Sequence, residues 1–173
     1  LALGVFYRIY GINVALYGDE AQRVIKIMSP DWYENIFNKL VSPPLSIGTV
    51  FLRKMLISIS AREWVLRLQG LLPGLLVIFV FTLIAKEIFK SRMIVLFVVI
   101  LAALNPRFID YSKELKSFMM ELFFTLLLTY QAIRYLKTKH CKYITYLSIA
   151  SVFAVFFSTP IFFIFPFVFG VIL

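Results

Sequence analysis

The residues best suited to chemistry stand in ALYGDEAQR (15–23), where an apolar run gives way to two adjacent carboxylates, Asp19 and Glu20. Basic side chains come from three other places: Arg8 before them, Arg62 and Arg67 after them, and Lys113 and Lys116 in a second polar stretch, NPRFIDYSKELK (105–116). Cations of this kind hold a phosphate, and a carboxylate beside it can take the proton of an incoming nucleophile. Phosphate is already a good leaving group, so one base suffices, unlike a glycosidase with its two carboxylates. The set therefore suits group transfer from a lipid-linked phosphate, such as a lipid-linked sugar. Asp19 has a second reading. Gly18-Asp19-x-x-Gln22 has the form of a capping box, and Arg23 stands one turn on for an ion pair. The two readings differ in what they require of a neutral Asp19.

The elements that must position these residues are set by composition. Of 173 residues, 61% are hydrophobic, 17% aromatic and 16% charged, with nineteen phenylalanines, and the mean hydropathy is +0.90. Soluble domains carry about 45–50% apolar and about 25% charged residues. Residues 68–85 and 143–173 contain no charged side chain, and a spanning helix needs about 20 apolar residues. The expected fold class is all-α, a polytopic transmembrane helical bundle with amphipathic interfacial helices in its first outer loop. A single cysteine, Cys141, excludes an internal disulfide, and the one histidine, His140, lies in a basic run, so neither a metal centre nor a cofactor is expected. The net charge of +9 gathers in KEIFKSR (86–92) and RYLKTKHCK (134–142). Short basic loops mark the cytoplasmic side of a membrane protein, so the charge is a topology signal and nucleic acid is not an expected partner.

The whole chain, 1–173, reads as one transmembrane module. Residues 1–16 form the end of a first span. Residues 17–67 form a first extracytoplasmic loop with interfacial helices, Ser29-Pro30 serving as an N-cap and N1 pair. Further spans fall at about 68–86, 92–106, 117–135 and 143–158, another begins after Pro160, and a second outer loop covers about 105–116. Both ends lie in apolar runs, so the chain reads as a piece of a longer protein. Placing both basic loops inside puts GDE and 105–116 on the same, outer face. Segment 46–60 must then begin and end outside; its central Arg53-Lys54 suits this, because a cation at mid-bilayer costs roughly 2.5–3.5 kcal/mol. The expected location is a plasma (inner) membrane, with the site on its extracytoplasmic side.

Four blocks, in order, carry a family resemblance. YRIYGINVALYGDEA (7–21) resembles the first outer loop of the GT-C glycosyltransferases, where an arginine at the end of helix one precedes Asp-Glu. SPPLSIG (42–48) is similar to the Pro-Pro-Leu of the bacterial and archaeal branch related to dolichyl-phosphate-mannose–protein mannosyltransferases. VLRLQGLLPGLLVIFVFTLIAKEIF (65–89) resembles the family's Arg-Leu, small residue, Gly and long helix, and LNPRFIDYSKELKSFMMELFFTLL (104–127) resembles its second outer loop. The resemblance implies an inverting transfer of a sugar from a polyprenyl-phosphate donor to a glycan, lipid or protein acceptor. It makes Asp19 the base and Glu20 a supporting residue, and gives Arg8, Arg67, Lys113 and Lys116 to the donor phosphate. Lys113 and Lys116 stand where the family has arginines, and Ser117-Phe118 where it has Pro-Tyr. A lysine keeps the charge but lacks the bidentate fork. The family's later helices and outer loop are not in this chain, so the segment alone is expected to be inactive.

Glu114 could contact an acceptor or a metal, or pair with Arg107 or a lysine. Glu121 reads as structural, near the interface, and Asp110 as a solvated loop residue. Trp32, Tyr33 and Trp64 read as an interfacial aromatic belt, with sugar stacking as the other role for Trp32. Two other classes compete with the enzyme: a secondary transporter, which would place its charges at mid-membrane, and a non-catalytic membrane subunit, which would tolerate loss of Asp19.

Overall fold

The computed structural model describes residues 2–13, 15, 16, 18–28 and 46–158, together with Pro166 and Gly170. The Ser29-Pro30 cap, Trp32 and Tyr33, the Pro-Pro-Leu at 43–45, Pro160 and the span expected after it lie outside the described residues. Those described form eight helices and no strand: α1 (Ala2–Ile9), α2 (Gly18–Met28), α3 (Ile47–Ile59), α4 (Glu63–Ile88), α5 (Arg92–Leu104), α6 (Pro106–Lys113), α7 (Phe118–Thr138) and α8 (Cys141–Phe157). The all-α expectation holds among the described residues, and α4, α5, α7 and α8 are helices over the stretches expected as spans.

The helix ends follow local chemistry. Glu63 occupies the first turn of α4 and Lys86 its last, each complementing the helix dipole. Asn105-Pro106 ends α5 and starts α6 at once: the Asn105 side chain accepts a hydrogen bond from the Phe108 amide at 3.3 Å, and Pro106 takes the first helical position, where no amide hydrogen is needed. Lys139 closes α7 in the left-handed conformation, φ 54°.

α4 is the central helix, packed on α7, α5, α6 and α3, and α8 packs on the far side of α7. Residues at four-residue spacing on α7, Phe124, Leu128 and Ala132, meet Leu147, Ala150 and Ala154 of α8. Ile78 of α4 meets Val99 and Ala103 of α5. At the lower end, where α4 finishes, Arg134 bonds Glu87 at 2.7 Å and the Tyr143 hydroxyl at 2.6 Å, and Lys137 also reaches Glu87. These contacts tie α4, α7 and α8 together.

The stretch expected as a loop at 105–116 is largely helical. α6 lies in a groove on α4 made by Gly70 and Gly74, where a Cβ on Gly74 would stand 2.9 Å from that of Ser112, and one on Gly70 2.9 Å from the Glu114 carbonyl oxygen. Only glycine allows backbones this close. Helix α3 crosses the upper end, where α4 begins. Its first residues meet the end of α8, with the Ser46 hydroxyl donating to the Phe157 carbonyl at 2.7 Å. Its middle meets Gln69 and Leu115, and its last residue lies four positions before the start of α4.

Among the described residues, α4 alone is long and apolar enough to cross a membrane. Helices α5 and α6 reach that length only as one span bent by 46°, and α8 is apolar but 17 residues long. Large apolar side chains stand exposed along α4, α5 and α8, among them Leu72, Phe79, Phe97, Leu101, Val152 and Phe153.

Candidate functional site

The upper end gathers most of the chemistry-bearing residues around the turn between α6 and α7. Helix α2 begins at Gly18, so Asp19 and Glu20 both fall in its first turn, at the positive end of its dipole. Adjacent positions on a helix point about 100° apart, and the two acids meet different surroundings. Glu20 turns inward and is buried. Its Oε1 accepts the Leu115 amide at 2.6 Å, and its Oε2 lies 3.3 Å from Nη2 of Arg67. Asp19 turns outward, 59% exposed, and its carboxylate stands 3.9 Å from Nζ of Lys116, which is also 3.0 Å from Glu114. The hydrogen bond to Glu114 holds the Lys116 ammonium above the ordinary lysine range, with Asp19 adding to the effect and burial opposing it. Lys116 is thus charged throughout the neutral range.

Arg67 also binds backbone. It donates to the carbonyls of Ile12 at 3.2 Å and Ala15 at 3.4 Å. The turn that presents them depends on Gly11, whose φ of 73° a side chain would oppose. Arg53, wholly buried, donates to Gln69 Oε1 and to the Leu115 carbonyl, both at 2.7 Å. Burial, with Arg23 nearby and Glu20 opposing, pulls its guanidinium down to about 10, still protonated at neutral pH. Leu115 is therefore held from both sides, its amide by a carboxylate and its carbonyl by a guanidinium. Charge-assisted hydrogen bonds of this kind are about twice as strong as neutral ones.

A cavity of about 410 Å³ opens beside this clamp, lined by Tyr10, Gly11, Glu20, Arg67, Asp110, Lys113 and Glu114. Four of the residues expected at the site, Glu20, Arg67, Lys113 and Glu114, thus share one wall system, with Lys116 and Asp19 linked to it through Glu114. Lys113 is half-buried and has no ionic or hydrogen-bonding partner among the described residues. Among the described residues it is the cavity cation left without such a partner.

Arg8 is not brought to this cavity. It is fully buried, and its Nη1 donates to the carbonyls of Gly4 at 2.9 Å and Ala103 at 2.7 Å, with Nη2 3.5 Å from that of Ala102. The carbonyls of Ala102 and Ala103 are terminal ones of α5, and Ala102 lacks its usual donor because residue 106 is proline. Arg8 thus caps the break between α5 and α6. Arg62 is also separate, lining a second cavity with Asn13, Glu63 and Trp64. Glu121 accepts from the Ser117 hydroxyl at 2.6 Å, a bond local to the start of α7.

Several contributors were not singled out from the sequence. Arg53, with Lys54 a polar interruption of an apolar segment, shares a helical face with Thr49 and Leu56, all three buried; that spacing is the available signal. Gln69 had no charge to mark it. Asp110, read as a solvated loop residue, is exposed but lines the cavity. Among the described residues no group of three or more His, Cys, Asp or Glu could hold a metal ion. No protein-family model, curated protein or solved structure matches the chain.

Proposed function

We propose that the protein to which this chain belongs is a multi-pass membrane glycosyltransferase that moves a sugar from a polyprenyl-phosphate donor to an acceptor hydroxyl at the outer face. The observation that carries the reading is the cavity in which a half-buried Lys113, without a partner among the described residues, stands with the Glu20–Arg67 pair, Asp110 and Glu114. The exposed apolar surface of α4, α5 and α8 supports the membrane setting, because contiguous patches of this kind are rare on soluble monomers. The basic runs at the lower end support an outward-facing upper end.

In this reading Lys113 and Lys116 hold the donor phosphate, and Arg67 with Glu20 fixes the wall beside it. Asp19, exposed and at the edge, takes the proton from the acceptor hydroxyl. The acceptor oxygen attacks the anomeric carbon from the face opposite the phosphate, the bond to the phosphate oxygen breaks, and polyprenyl phosphate leaves with inverted configuration at the sugar. Arg8 serves the fold and not the donor.

The test is Asp19→Asn in the full-length protein. The side chain is exposed, so the variant keeps its melting temperature. Transfer from a polyprenyl-phosphate sugar falls by about 10²–10⁴-fold, the usual contribution of a positioned general base. Transfer near the wild-type rate would leave Asp19 a first-turn helix residue and remove the mechanism.

A further inference from the structure

The lower end holds another cavity, remote from the upper cluster, of about 510 Å³ between the end of α4 and the start of α5. Its walls are apolar, with Val95, Leu96 and Val99 among them, and its rim carries Lys86, Lys90 and Arg92. All three cations are exposed, and none has an ionic or hydrogen-bonding partner among the described residues. The neighbouring basic run differs. Arg134 and Lys137 are bound to Glu87, and Lys139 and Lys142 lie over the rings of Tyr135 and Tyr143. Glu87, the acid closest in sequence, is consumed by Arg134 and Lys137. Beyond the rim, α5 presents Met93, Phe97, Ile100 and Leu101 outward.

We propose that this groove binds one anionic phospholipid. Its headgroup phosphate sits among Lys86, Lys90 and Arg92, and its acyl chains lie in the groove against Val95, Leu96 and Val99. The occupant follows from the pairing of charge and wall. A soluble anion would use the rim but not the apolar groove, and a zwitterionic lipid would use the groove but bring an ammonium to three cations. A phosphate carrying alkyl chains and no compensating positive charge satisfies both. The first turn of α5 adds free backbone amides and the positive end of its dipole at the same place. Basic pockets between membrane helices bind anionic headgroups on this physical basis. The inference requires that α4 and the apolar length of α5 lie in a bilayer; it does not depend on sugar transfer.

The experiment is native mass spectrometry of the full-length protein, purified in detergent and titrated with phosphatidylglycerol or phosphatidylcholine. The expected result is one retained phosphatidylglycerol and no retained phosphatidylcholine at equal concentration. Replacing all three rim cations, Lys86→Gln, Lys90→Gln and Arg92→Gln, should weaken retention by about a hundredfold, at roughly fivefold for each cation. The side chains are exposed and unpaired, so the triple variant folds. The matched control, Lys139→Gln with Lys142→Gln, should change retention less than twofold. Equal retention of both lipids, or an equal loss in the control, would reduce the effect to general surface charge and overturn the proposal. Displacement of the lipid by millimolar inorganic phosphate would also overturn it, by showing a simple anion site. Asp19→Asn should retain the lipid normally, so this result and that of the transfer assay can fail separately.

Discussion

Replacing Glu20 by Gln isolates one charge at the centre of the upper cluster. The side chains of Glu20 and Arg67 are 6% and 5% exposed, so their charges face each other with little water between them. Gln keeps the size of the side chain and can still accept the Leu115 amide, which Glu20 now holds at 2.6 Å. What disappears is the negative charge opposite Arg67. Breaking a buried pair on one side costs about 3–5 kcal/mol, because the remaining charge is left uncompensated. Arg67 retains the carbonyls of Ile12 and Ala15, which places the cost at the low end, about 3 kcal/mol, or roughly a hundredfold in the unfolding constant. Ala at the same position also orphans the Leu115 amide and should cost about 1–3 kcal/mol more. Removing both charges, as Glu20→Gln with Arg67→Met, should recover only part of the loss, since no charge is left uncompensated but the carbonyls of Ile12 and Ala15 lose their donor. The assay is reversible denaturant unfolding of the full-length protein in micelles, followed by circular dichroism and arranged as a double-mutant cycle. A Glu20→Gln variant within about 1 kcal/mol of wild type, with no coupling to Arg67, would refute the assignment of Glu20 to the clamp.

Gly74→Ala should destabilise the protein by about 1–3 kcal/mol through overpacking, because its methyl meets Ser112, which is buried and held by its bond to the Phe108 carbonyl at 2.6 Å. Adding Ser112→Gly should return part of that loss in the same unfolding assay, and an additive double variant would mean that α6 does not seat on Gly74. For the outward orientation of the upper end, Arg107→Cys in a Cys141→Ser background should react with a membrane-impermeant thiol reagent in intact cells. Cys141, exposed at the start of α8, should react only after permeabilisation. Labelling of Arg107→Cys only after permeabilisation would reverse the topology. Ser112 would be a silent position for this experiment on either side, being buried against α4.

The sequence by itself determined the helical class and the positions of α4, α5, α7 and α8, because uninterrupted apolar runs and the polar breaks between them are local properties. Composition likewise located the basic lower loops, and the alternation of runs placed the two acid-bearing stretches at one end. The helix break at Asn105-Pro106 was equally local, a cap followed by a residue that needs no donor. Which of two adjacent carboxylates is buried was not legible. Asp19 and Glu20 differ by one position on α2, and only the approach of Leu115 and Arg67, 95 and 47 residues away, turns Glu20 into an anchor and leaves Asp19 in solvent. The fate of the arginines was hidden for the same reason. Arg8, Arg53 and Arg67 all end on backbone carbonyls, and those acceptors are exposed only where helices end or a glycine turns the chain, so which arginine meets which carbonyl is decided by packing alone. Lys113 stayed available because α6 settled into the groove at Gly70 and Gly74, a contact between backbones that no single position in the chain encodes.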